Sequence, residues 1–249
     1  MSGLTPAGND RIRQRPLILA IENAGLCGSV ALVSGSNCIA EQSLLSTLTH
    51  SQRLLATVER VLEECRTTWT ELDAIAVSLG PGSFTGLRIG LSTVKGFSLA
   101  TSLPLIGVPT LDGLAGQFGF TAMPVCPILD ARKNEVYTAL YQADGNGCMQ
   151  RQGEYLVISP LELAGQISEP TLFCGDGITV HGDLLREKLG SLAVFAPEQL
   201  YFARAASIGF LALDRWRNKE FLNPAGCVPL YVRASDAEIN LRSKNQPIP

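Results

Sequence analysis

The sequence predicts an α/β protein of two lobes, each a mixed sheet with helices packed on it. Three observations lead there. The chain opens with three short apolar runs separated by turn residues, the pattern of consecutive hairpin strands. Helical and strand-like stretches then alternate, the pattern of parallel crossover units. A looser copy of the hairpin-then-helix order returns in the second half, as in a duplicated fold. The 249 residues suffice for two lobes of about 100–150 residues each.

The first three strands are Leu17–Ile21, Cys27–Val33 and Cys38–Leu45, parted by Asn23-Ala24-Gly25 and Ser34-Gly35-Ser36-Asn37. Leu54, Leu55, Val58, Val61, Leu62 and Cys65 recur at helical spacing, and Thr49 or Ser51 can cap that helix. Asp73–Leu79 is a buried-type strand. It runs into Gly80-Pro81-Gly82-Ser83 and then a helix over Phe84–Ala100. Pro104–Val108 is a strand and Thr110–Phe118 a short helix.

The second half begins near Ala122. Pro124–Leu129 and Glu135–Gln142 read as strands, with another ending near Ile158. Pro160–Ile167, His181–Leu189 and Ala203–Trp216 read as helices; Leu172–Cys174 and Leu192–Phe195 as short strands; Val228–Val232 as a last strand. The domain division expected is a disordered leader over 1–16, a first lobe over 17–119, a second over 120–234 and a tail over 235–249.

Composition narrows the function classes. Hydrophobic residues make up 46% and charged residues 17%, which excludes general disorder. The net charge of −3 is unlike that of a protein that grips nucleic acid alone, so any such role is shared with a partner. Seven cysteines, none spaced as CxxC, argue against a disulfide framework or zinc knuckle and fit buried thiols in a reducing compartment. No secretory signal and no run of 18 apolar residues occurs. Cytoplasmic residence without membrane contact is expected.

The most informative stretch is Gly80–Gly90, GPGSFTGLRIG. It is a strand end, a Gly-rich turn and a helix start that Ser83 or Thr85 can cap. Such a terminus can hold an anion or simply be a capped turn with nothing bound. It is neither a Walker loop nor a nucleophile elbow, because GK[ST] and GxSxG are absent. Gly82, Gly86 and Gly90 lie four apart, on one helical stripe. Interior helical glycine costs about 0.5–1 kcal/mol against alanine, so another backbone approaches closely. Spacing alone leaves open whether that neighbour is the sheet beneath or a partner helix.

Taken in order, these motifs resemble the TsaB (YeaZ) family. Leu17–Ile21 followed by Cys27–Leu32 is similar to its opening hairpin, and His50-Ser51-Gln52-Arg53-Leu54-Leu55 to the start of its first helix. Gly80–Gly90 is similar to its signature loop, and Ile106-Gly107-Val108-Pro109-Thr110-Leu111 to the strand and helix beyond. Asp130-Ala131-Arg132 with Glu135-Val136-Tyr137 is similar to its second-lobe hairpin, and Pro229–Arg233 to its C-terminal strand.

The resemblance implies an actin-like (ASKHA) fold with a reduced second lobe. It implies a non-catalytic subunit that pairs with the catalytic subunit TsaD, joined by the ATPase TsaE. Together these transfer a threonylcarbamoyl group to the adenosine beside the anticodon of tRNAs that read codons starting with A. It also implies a four-helix contact with TsaD through helices 50–65 and 84–100. The interface residues expected there are His50, Arg53, Leu54, Thr57, Phe84, Thr85, Gly86, Arg88 and Gly90. The isolated chain can pair with itself through the same surface. No cofactor is expected to bind autonomously, although a nucleotide can sit at the partner interface. tRNA is reached through the complex.

Two departures bear on catalysis. The TsaD relatives bind a metal through two histidines four apart on a helix, but the position four beyond His50 is Leu54, and His181 is the only other histidine. Family members often carry Asp-Thr in the first hairpin; here Glu22-Asn23-Ala24 stands instead. Two alternatives remain. A free-standing actin-like ATPase or kinase needs carboxylate-held Mg²⁺ and a phosphate loop, for which Glu22 and the Gly80 loop are the only material. A peptidase needs metal-bound water or a nucleophile–base pair, and neither is readable. Asp130, Arg132 and Glu135 read more simply as a solvated turn than as a lobe–lobe contact.

Overall fold

The computed structural model describes residues 15–45 and 50–233, with only the backbone of residues 50–53. The expected leader up to Gln14 and the tail over 235–249 lie outside the described residues.

The first sheet contains β1 (Leu17–Glu22), β2 (Cys27–Ser34), β3 (Asn37–Leu45), β4 (Ala74–Ser78) and β5 (Leu105–Val108), in the order β3-β2-β1-β4-β5. The hairpin strands are antiparallel; β4 and β5 run parallel to β1. Helix α1 (His50–Glu64) connects β3 to β4, and α2 (Phe84–Thr101) connects β4 to β5. Helix α3 (Thr110–Ala115) follows β5 and passes into a short 3₁₀ turn at Gly116–Phe118.

The second sheet contains β6 (Val125–Arg132), β7 (Glu135–Ala143), β8 (Met149–Ile158), β9 (Thr171–Cys174) and β10 (Ala193–Phe195). Its order is β10-β9-β6-β7-β8. Counted from its own first strand, that is third-second-first-fourth-fifth from one edge, the same order as the first sheet. Pairing matches too: β6–β7 and β7–β8 are antiparallel, β6–β9 and β9–β10 parallel. The duplicated mixed sheet is the two-lobed actin-like fold. The second copy is smaller. Its crossover helices, α4 (Pro160–Gln166) and α5 (Ile178–Leu189), have 7 and 12 residues against 15 and 18 for α1 and α2.

Both faces of each sheet are covered, which is why its inner strands are apolar throughout rather than alternating. On one face of the first sheet, Leu19, Ile21, Val30 and Leu32 pack with Leu54, Val58 and Val61 of α1 and with Leu91 and Val94 of α2. On the other, Ile18, Ala20, Ala31 and Ala76 pack with Ala205, Ile208 and Ala212 of α6 (Ala205–Arg217). The small side chains let α6 lie close: a Cβ at Gly209 would stand 2.6 Å from a Val33 methyl. Leu111 and Leu114 of α3, meanwhile, pack with Val125, Ala139 and Tyr141 of the second sheet. The two halves thus exchange covering helices across the molecule.

One element differs from expectation. Val228–Val232 forms no strand. Pro229 lacks an N–H, and among the described residues the segment's one backbone bond to the first lobe is Leu230 N–H to Leu79 O at 2.8 Å. Helix α5 begins three residues earlier than the apolar spacing indicates, at Ile178.

Candidate functional site: the inter-lobe cleft and the two-helix face

A cleft of about 630 Å³ separates the lobes. It lies where β1, β4, β6 and β9 deliver their carboxyl-terminal loops, the position at which open α/β sheets present ligand sites. The first lobe supplies the turn after β1, with Glu22 and Ala24, and the loop after β4, with Gly82, Ser83 and Phe84. The second supplies the turn after β6, with Asp130 and Arg132, and the loop after β9, with Asp176. Thr110, at the start of α3, also lines it.

Glycine is required at two of these loops. Gly80 has φ +111°, and a Cβ at Gly82 would lie 2.5 Å from Ala24 O, so the β4 loop fits tightly under the turn after β1. The Ser83 N–H donates to that same carbonyl at 2.6 Å, and the Ser83 hydroxyl caps α2 by accepting from Gly86 N–H at 3.3 Å. In the second lobe Gly175 has φ +105°, and a Cβ there would meet Ile128 O at 2.1 Å.

Glu22 is 1% exposed. Its Oε1 accepts from Ala24 N–H at 2.5 Å; among the described residues its Oε2 has no hydrogen-bond partner. Burial pushes the carboxyl up to about 7, outweighing the Ala24 amide and the Ser78 hydroxyl that draw it down, and the charge of Asp176 raises it further. Burial also raises Asp176, which accepts from the Asp130 N–H at 3.5 Å. Thr110 is 2% exposed and its Oγ1 is unpartnered among the described residues. His181 is buried with its Nε2 3.9 Å from Asp130 Oδ1; among the described residues that nitrogen makes no hydrogen bond, and it faces a carboxylate rather than a Ser or Cys. Among the described residues no three His, Cys, Asp or Glu side chains converge as metal ligands.

Residues 230–233 bridge the mouth of the cleft. Tyr231 packs on Phe84 at 5.4 Å and accepts from Arg88 Nε at 3.2 Å, on the first lobe. Two residues on, Arg233 pairs with Glu135 and donates to Ala131 O at 2.7 Å, on the second. Glu135 is therefore part of a lobe-to-lobe tie and not only of a solvated turn. Arg132 matches the simpler reading, being largely exposed and 3.2 Å from Asp130.

The residues expected at a partner surface divide. Leu54 and Thr57 are buried at 3% and 4%, Leu54 within the core beneath α1. Gly86 and Gly90 are buried against their own lobe: Gly86 O accepts from Asn23 Nδ2 at 2.8 Å, and a Cβ at Gly90 would sit 3.3 Å from Asn23 Cβ. The glycine stripe's close neighbour is thus the turn after β1. Phe84, Thr85 and Arg88 are exposed, and the Arg88 guanidinium stacks on Phe84 at 3.8 Å. The side chains of His50 and Arg53 lie outside the described residues. Two exposed residues were not singled out from the sequence: Leu55 on α1, 46% exposed, and Leu99 on α2, 77% exposed. The signal for Leu55 was its place beside Leu54, since adjacent helical positions lie about 100° apart and cannot both point inward. Among the described residues no helix is long and apolar enough to cross a membrane, and all seven cysteines are free thiols.

Comparison with known proteins gives consistent matches. The family model described as TsaD, tRNA N6-adenosine threonylcarbamoyltransferase, matches residues 44–241. The tRNA threonylcarbamoyladenosine biosynthesis protein TsaB of Bacillus subtilis (strain 168) is 30% identical over 224 residues, covering 89% of this chain and 96% of that protein. TsaB of Escherichia coli (strain K12) is 38% identical over 175 residues, 68% of this chain and 75% of that one. The solved structure of YeaZ from Pseudomonas aeruginosa superposes with a TM-score of 0.73 at 28% identity, covering 87% of this chain and 99% of its own.

Proposed function

The chain belongs to the TsaB branch of the TsaD family, and from that premise we propose that it is a non-catalytic subunit in tRNA threonylcarbamoyladenosine biosynthesis that binds the TsaD catalytic subunit through α1 and α2. The observation that carries the reading is the outer face of these two helices. They pack side by side over the first sheet. Their solvent side presents Leu55, Phe84 and Leu99, whose apolar surface gains by burial against a partner.

A supporting role agrees with the site chemistry. Where the catalytic relatives place a second histidine, this chain has Leu54, directed into its own core. Among the described residues His181 Nε2 bonds no nucleophile of the kind that peptidase chemistry demands. TsaE joins the assembly, tRNA reaches it through the complex, and the modification falls on the adenosine next to the anticodon in tRNAs reading codons that start with A. In the absence of TsaD the same apolar face pairs two copies of this chain.

The test is reconstitution. TsaD is purified with and without this chain, and threonylcarbamoyladenosine is quantified in tRNA after reaction with threonine, bicarbonate and ATP in the presence of the remaining pathway proteins. Co-purification and dependence of the modification on this chain are expected. Full modification without it would overturn the reading.

A further inference from the structure

We infer that the floor of the inter-lobe cleft binds a small organic cation through an ammonium group. Two independent side chains lining the cleft have polar atoms with no partner among the described residues: Glu22 Oε2 and Thr110 Oγ1, on residues 1% and 2% exposed. Buried polar atoms are nearly always paired, so two orphans at one cavity mark a place where a ligand's donors complete the bonding. A cavity of about 630 Å³ lies in the range of metabolite sites.

The charges around the floor select the ligand's sign. Glu22, Asp130 and Asp176 line the cleft from both lobes. The two arginines that also line it are already engaged: Arg132 with Asp130 at 3.2 Å, and Arg233 with Glu135 and the Ala131 carbonyl. Among the described residues Glu22 has no ion-pair partner, and Asp176 feels only the charge of the Arg132 already paired with Asp130. An anionic ligand would meet three acidic side chains. A bare metal ion lacks a ligand set, since no three suitable side chains converge among the described residues. An ammonium group supplies up to three donors and one positive charge, which suits an acidic carboxyl and a hydroxyl in want of donors. Phe84 and Tyr231 at the rim offer aromatic surface to the organic remainder.

Binding has a proton signature. Burial holds the Glu22 carboxyl up to about 7. An ammonium beside it stabilises the carboxylate, so the carboxyl O–H bond breaks and the proton passes to buffer as the ligand enters. Both orphaned atoms are covered in this structure, so binding requires the floor of the cleft to open.

Phe84 borders both the cleft and the proposed partner face, so the site is tested on the isolated full chain, without TsaD. Tyramine and putrescine serve as aryl and alkyl ammonium probes, and tyrosol as the neutral alcohol isostere of tyramine. Titration calorimetry in buffers of different ionisation enthalpy reads both affinity and proton release. The expected result is binding of an amine with proton release near neutral pH, no binding of tyrosol, and affinity at least about tenfold weaker in Glu22→Gln. Thr110→Val, which leaves the carboxyl in place, weakens binding while retaining proton release. Equal binding of tyrosol, unchanged affinity in a folded Glu22→Gln, or no binding of either amine at millimolar concentration would overturn the inference.

Discussion

The side-chain amide of Asn23 donates to the main-chain carbonyl of Gly86 across 2.8 Å, tying the turn after β1 to the first turn of α2. That bond fixes which way the glycine stripe faces. Gly90 lies one turn further along, close enough that an added Cβ would press on Asn23 at 3.3 Å. Gly90→Leu therefore overpacks the chain's own interior and costs about 1–3 kcal/mol of stability. Urea denaturation of the isolated chain reads this directly. An unchanged midpoint would mean that the helix–turn contact is looser than described.

The same position shows where sequence reasoning stops. The two sheets were legible because hairpin turns and apolar runs are local signals, and nearly every strand and helix falls within a few residues of its expected place. The stripe Gly82–Gly86–Gly90 was legible as a close approach. Its partner was not, because Asn23 is distant in sequence and spacing carries no information about which surface arrives. Leu54 and Leu55 present the same difficulty, as both fit a helical apolar pattern and only packing shows that one points inward. The exchange of α3 and α6 between sheets left no local trace. The last expected strand failed because apolar residues at Val228–Val232 imitate a strand where a proline and a single backbone bond allow only a strap.

Glu22 gives the molecule a pH dependence of definite sign. Its carboxyl stands at about 7 in the fold against 4.5 for the ordinary group, burial being the main cause. Between those values the folded chain keeps a proton that the unfolded chain has lost. Stability therefore falls as pH rises through this window, and the loss is complete above it, at about 3 kcal/mol for a shift of this size. Asp176, raised by burial as well, acts in the same direction. Glu22→Gln removes the Glu22 part, so the variant should be more stable than the parent at about pH 8 and show a flatter profile. Denaturation midpoints across the window decide it, and a parent chain that gains stability with rising pH would refute the assignment.

Asp112 joins the exchanged helices. Its Oδ1 accepts the hydroxyls of Tyr141 on β7 and Tyr155 on β8, each at 2.7 Å. Its Oδ2 lies 3.6 Å from Arg215 of α6, which also donates to Gly107 O of β5 at 2.6 Å. Burial, then the carboxylate, holds the Tyr141 hydroxyl far above its usual range, so the tyrosines act as donors throughout ordinary pH. Asp112→Ala leaves two hydroxyls unpaired and should cost about 2–5 kcal/mol. Tyr155→Phe removes one donor and leaves the other satisfied, costing about 0.5–1.5 kcal/mol. A double-mutant cycle between Asp112 and Tyr155 should show coupling; simple additivity would mean that the shared acceptor is unimportant.

The partner face separates from the interior under mutation. Leu55 and Leu99 are exposed on adjacent helices and make no contribution to the buried clusters of the first lobe. Leu55→Asp and Leu99→Asp should therefore leave the isolated chain within about 0.5 kcal/mol of its parent. On a surface that meets TsaD each carboxylate would be buried without a counter-ion, a change that typically weakens association by tenfold or more. Phe84→Ala tests the rim of the same surface, though it also frees Arg88 and Tyr231, which stack on and bond across it. Gly90→Leu is the internal control, because it lowers stability through the Asn23 contact rather than through lost surface. The measurement pairs thermal unfolding with pull-down of TsaD for all four variants. Leucine variants that stay folded yet lose TsaD place the partner on α1 and α2. If both retain full binding, the contact lies elsewhere on the first lobe and the apolar face needs another explanation.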